Sequence, residues 1–107
     1  ARLAFIAGQG GETADGQLSE DFRQQVRQAL RNLCIAIEAV GGTPQQIARL
    51  GVLIVDHSEA RLQVFGDELA RALGPGPKPA CTLIPVPRLA LDGMLFEIDA
   101  VLLLAAG

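Results

Sequence analysis

Three observations predict an α+β fold in the order β-α-β-α-β-β. Short apolar runs bounded by Gly, Pro and Asp alternate with two longer segments whose apolar residues recur every three and four positions. At 107 residues the chain suits one domain, placed over 1–107, and half of it is hydrophobic against a fifth charged, enough for a real core. Several of the strands are apolar at consecutive positions, where a sheet with one wet face should alternate.

The first strand is RLAFIAG, and GQGGETADGQ after it is a loop. From Ser19 the period becomes helical: Phe22, Val26, Leu30, Leu33, Cys34, Ile37 and Val40 form one stripe. Ser19 is the expected N-cap, with Glu20 and Asp21 favourable at the positive end of the dipole, and Gly41 and Gly42 are the stop. Arg23, Gln24, Arg27 and Arg31 fall on the wet side, and Cys34 falls in the core. Thr43 and Pro44 open a short helical turn. LGVLIVD reads as the second strand. The second helix, HSEARLQVFGDELARALG, has Ser58 as cap, a stripe of Leu62, Phe65, Leu69 and Leu73, and Gly74 as its end. PGPKP is a rigid loop, ACTLIPV the third strand, RLALDG a connection and MLFEIDAVLLL the last strand. Two helices cover one face of such a sheet, and a second copy of the chain is the simplest cover for the other. An oligomer is therefore expected.

A net charge of −3 and a pI near 5.0 argue against nucleic acid as the main partner. Cys34, Cys81 and the lone His57 lack metal-ligand spacing, so no metal is expected, and the thiols read as free cysteines of a reducing cytosol. LAFIAG is too short for a secretory h-region, and AVLLLAAG falls far below the roughly 20 residues that span a bilayer. These readings make a soluble cytoplasmic protein with no membrane partner and no cofactor.

Four stretches are candidate sites. AGQGGET fails as a phosphate loop, because Thr13 stands where the third glycine belongs and Glu12 and Asp15 repel an anion. Histidine is a common acid or base, but His57 has no readable catalytic partner. Glu97 and Asp99 share a strand face with Leu95 and Val101, where carboxylates are costly unless paired or used. Glu97 reads either as a ligand-binding or proton-transferring group or as half of a salt bridge; Asp99 reads as a salt-bridge partner. Cys81 lies at the mouth of its strand beside no evident base or cation, and reads as a small apolar plug rather than a nucleophile.

Gly8-Gln9 after the first strand, the helix QVRQALRNLCIAIEAVGGTPQQIARL, VLIVD, Pro79-Ala80-Cys81 and EIDAV together resemble the Rid/YjgF family of reactive intermediate deaminases, from about Leu3 to Leu103. The resemblance implies a chorismate-mutase-like fold with a mixed sheet, and a homotrimer whose sheets form a central barrel with ligand clefts between subunits. It also implies imine or enamine hydrolysis, with an arginine fork for the substrate carboxylate after the Pro-Ala pair. Here that position holds Cys81, followed by Thr82. Ala7 replaces the expected Ser or Thr, Gly66 lies where an asparagine is expected, and the family's N-terminal strand, which carries an aromatic, is missing. Glu97 matches the cleft glutamate, and Asp99 its acidic neighbour. The expected ligand-binding set is Ala7, Gly8, Gln9, Cys81, Leu83 and Glu97, with Glu97 as the candidate catalytic residue.

Three functions follow as expectations. One is a trimer that binds a small neutral or cationic metabolite, with imine deaminase activity weak or absent. Another is a hydrolase of altered specificity that uses Glu97 and water. The endoribonuclease or translation-inhibitor role attached to the family fits an acidic, aromatic-poor chain badly.

Overall fold

The computed structural model describes residues 1–105, so the last two residues of the expected 1–107 domain lie outside it. Its elements are β1 (Arg2–Gly10), α1 (Phe22–Ala39), a 3-10 turn (Pro44–Gln46), β2 (Ile47–Val55), α2 (Glu59–Leu73), β3 (Ala80–Val86) and β4 (Phe96–Leu104). The β-α-β-α-β-β order is as expected, and β3 begins and ends where its apolar run does. The four strands form one mixed sheet in the order β1-β4-β2-β3. β4 pairs antiparallel with both β1 and β2, while β2 and β3 are parallel and joined by α2.

The helix-end signals are met with one adjustment. Ser58 caps α2 by accepting from Arg61 N, and Gly74 ends it at φ +75°. At α1 the cap is Asp21 rather than Ser19: the Asp21 carboxylate accepts from Gln24 N at 3.0 Å, and Ser19 Oγ accepts from Asp21 N one step outside. An aspartate there also places its charge closer to the dipole. Gly41, at φ +81°, closes the C-terminal end; its N–H and that of Gly42 return to Glu38 O and Ile37 O.

One face of the sheet packs on the helices. Leu50, Val52, Ile54, Phe96, Ile98, Ala100 and Leu102 face Val26, Leu30, Leu33 and Ile37 of α1 and Phe65 and Leu69 of α2, all buried. Phe96 lies at the centre, edge-on to Phe22 at 6.2 Å and tilted against Phe65 at 5.6 Å. Leu62 and Val40, counted in the stripes, are exposed, because each stripe is wider than the contact the other layer offers. Cys34 is half-buried between the helices rather than in the core, and desolvation there raises its thiol pKa.

Arg23 and Arg27 depart furthest from the wet side assigned to them. Both turn to α2, where Glu68 is 1 % exposed. Arg23 Nη1 donates to Glu68 Oε2 at 2.7 Å, and Arg27 donates from Nε at 2.9 Å and Nη2 at 3.1 Å. Chiefly through the hydrogen bonds from Arg27, which outweigh the cost of burial, and then through Arg23, the Glu68 carboxyl is pulled down to about 2.

The opposite face of the sheet is bare, and apolar where β1 meets the end of β4. Leu3 and Phe5 of β1 pair with Leu103 and Val101 of β4, and Phe5 is 73 %, Leu3 60 % and Leu103 53 % exposed. Three of the four phenylalanines meet in the core; the fourth, Phe5, stands on this open face.

Candidate functional site

The site begins with a slip in the β1–β4 ladder. Pairing runs in step from Arg2↔Leu104 to Ile6↔Ala100 and resumes at Gln9↔Ile98, so Ala7 and Gly8 together oppose Asp99. The extra residue makes a bulge, a device that re-aims side chains. It swings Gly8 against Glu97: a Cβ on Gly8 would come within 2.6 Å of the Glu97 Cδ. Glycine at position 8 is what lets the glutamate side chain lie across β1.

Helix α1 holds both partners in place. Buried Gln25 donates through Nε2 to Ser19 O and Gly93 O, and its Oε1 accepts from Leu95 N at 2.8 Å, two residues before Glu97. Asn32 Nδ2 donates to Gly10 O at 3.0 Å and to Glu12 O at 2.8 Å, two residues after Gly8. Gly11 lets α1 come this close, since a Cβ there would meet the Gln25 backbone at 2.6 Å. Gly8 and Gly11 thus serve packing, and Gly8 and Gly10 lie within β1 rather than in the loop expected after it.

The two carboxylates differ in their surroundings. Asp99 lies over Gly51 on the same open face, with Arg49 Nη1 at 4.0 Å, a loose pair within one chain. Half-buried Glu97 has no cation within 4 Å among the described residues. Of its two readings, the salt bridge within the chain is therefore absent. Gln9 is also half-buried and turns its amide to Ala7 O at 2.9 Å.

Cys81 and Leu83 do not join this group within one chain. In the parallel ladder Cys81 pairs with Leu50 and Leu83 with Val52, residues of the helix-covered face, whereas Glu97 pairs with Leu53, which in turn pairs with Ile84 on the open face. One strand, β2, and the thickness of the sheet separate the thiol from the glutamate. Cys81 is exposed on the edge strand; desolvation on the side turned to the sheet raises its thiol pKa, and the charge of Arg49 pulls weakly the other way. The net direction is upward, away from an activated thiolate. Arg88, the other cation near this strand, is tied to Asp92 at 2.9 Å. His57 is half-buried in the turn after β2, following Asp56 at φ +53°, away from Glu97 in sequence and unassigned to the site. Among the described residues no group of three His, Cys, Asp or Glu is placed to hold a metal ion, and no helix is long and apolar enough to cross a membrane.

Two helices on one side of a four-stranded mixed sheet, an open face on the other, and a glutamate laid over a glycine bulge together define one α+β fold class. The family described as endoribonuclease L-PSP matches residues 1–104. The chain belongs to that family, the Rid/YjgF proteins. It is 36 % identical to the Rid protein YyfB of Yersinia pestis, with a TM-score of 0.88 over 97 % of this chain and 80 % of that one. RidA of the Antarctic bacterium Psychrobacter sp. PAMC 21119 is 26 % identical, with a TM-score of 0.88 over 97 % and 82 %. Rv2704 of Mycobacterium tuberculosis is 27 % identical, with a TM-score of 0.80 over 95 % and 79 %. Among the curated proteins compared, none matches.

Proposed function

We propose that three copies assemble with their open sheet faces inward, and that each seam binds a small neutral or cationic metabolite between Glu97 of one subunit and Cys81 of the next. The observation that carries this is the pair of opposite placements: Glu97 on the open face, without a cation among the described residues, and Cys81 at the edge of the helix-covered face. Only a second chain brings the two together. Ala7, Gly8 and Gln9 form the wall beside Glu97, and Leu83 extends the wall beside Cys81. With a thiol at the fork position, nothing in the cleft grips a carboxylate by two parallel hydrogen bonds. Anionic imino acids therefore meet a negative site and are poor substrates. RNA is disfavoured by the same surplus of acid.

The test couples an amino-acid oxidase, which releases an imino acid, to the measurement of free ammonia. The wild-type chain should leave the rate within about twofold of buffer, and Cys81→Arg should raise it at least tenfold, since a bidentate charged pair contributes roughly 1.5–3 kcal/mol. Strong acceleration by the wild type would refute the binding role.

A hydrolase of altered specificity is the second reading, favoured by a Glu97 carboxylate that has no cation among the described residues and is free to orient a water. Any turnover found on another imine should fall by at least about 100-fold in Glu97→Gln. Unchanged turnover would remove Glu97 from the chemistry.

A further inference from the structure

The outer surface carries a second concavity, on the helix layer and remote from the bare sheet face. It is a groove of about 280 Å³ between α1 and α2, floored by Leu30, Cys34 and Ala72. Arg27, Arg31 and Arg71 stand around it, with Glu68 in the wall.

The charges there do not cancel. The single buried carboxylate, Glu68, is already matched by Arg23 and Arg27, and Asp67 takes the remaining reach of Arg23 at 3.4 Å. Arg71 keeps 4.0 Å from Glu68, and among the described residues Arg31 has only the neutral Gln28 Oε1, at 3.2 Å. Two guanidiniums are thus left with unused donors at the mouth of an apolar trough, in a chain whose net charge is −3. A guanidinium pair over an apolar floor complements an anionic head on an apolar tail. The small volume limits the tail to a short chain.

We propose that this groove binds a short aliphatic carboxylate, its head held by Arg31 and Arg71 and its chain lying on Leu30, Cys34 and Ala72. The site is independent of the seam between subunits and differs from it in preferring an anion.

Hexanoate is the probe, titrated into the ¹⁵N-labelled full chain and followed by amide shifts, with hexylammonium and hexan-1-ol as matched controls. Saturable shifts centred on Leu30, Cys34 and Ala72 are expected with hexanoate, and at least tenfold weaker ones with either control. Each methylene added from butanoate to hexanoate should tighten binding about fourfold. Arg31→Gln combined with Arg71→Gln should weaken it at least tenfold while the spectrum elsewhere keeps its wild-type pattern, since both side chains are at the surface. Three results would overturn the proposal: no saturation, equal binding of hexylammonium, or unchanged affinity in the double variant. Shifts at Gly8 and Glu97 in place of Cys34 would also overturn it, and would locate the ligand in the seam.

Discussion

Phe5→Glu is expected to break the proposed assembly into monomers. Phe5 is the most exposed large apolar side chain on the bare sheet face, at 73 %, flanked by Leu3 and Leu103. Burying a phenylalanine against a sister copy contributes about 2–3 kcal/mol per site. A glutamate at that place loses this contribution and adds the cost of burying a carboxylate beside Leu3, Val101 and Leu103. The combined effect exceeds about 100-fold in assembly at each seam. The fold of each chain should survive, because Phe5 lies outside the helix-covered core: far-ultraviolet circular dichroism should be unchanged while sedimentation shifts. A Phe5→Glu protein that still sediments like the wild type would mean this face is not the one covered.

The second large effect concerns the helix layer. Glu68→Gln should destabilise the chain by about 2–3 kcal/mol at pH 7, lowering the melting temperature by roughly 10 °C when compared at equal protein concentration. The lower end of the usual range for a broken buried pair applies, because Arg23 and Arg27 each keep about a third of the side chain in water and can turn outward. The change also carries a signature in pH. The Glu68 carboxyl titrates at about 2 in the fold against 4.5 when free. A depressed carboxylate contributes its stability fully above the unfolded value and loses it as pH falls through the folded one. Wild-type stability should therefore drop by about 2 kcal/mol between pH 4.5 and 2 from this residue, and the glutamine variant should lack that portion of the slope. Parallel acid-denaturation curves for the two proteins would show that Glu68 is not held as described.

What could be read from the residues was local. The period of three and four in α1, the ends of α2 at Ser58 and Gly74, and the limits of β3 are each set by neighbours within a few positions. So was the surplus of apolar strand, visible because LAFIAG and VLLL do not alternate. What escaped depends on contacts between distant segments. Glu68 resembles any helical glutamate until α2 is laid beside α1. The signal was present all the same, since Arg23, Arg27 and Arg31 recur every four residues on one face, and Glu68 falls three residues after Phe65 on the buried stripe. The role of Gly8 needs the register slip opposite Asp99, and a slip of one residue is decided by pairing partners some ninety positions away. The placement of Cys81 likewise waits on topology: only with β2 known to separate β3 from β4 does it become plain that thiol and glutamate of one chain are on opposite faces.

All of the functional reading rests on sister copies covering the bare face, since a lone chain keeps Glu97 and Cys81 apart. Sedimentation equilibrium of the wild-type protein at micromolar concentration tests this most directly. A single species of three times the 11.2 kDa chain mass is the predicted result, and a stable monomer at 11.2 kDa would contradict it.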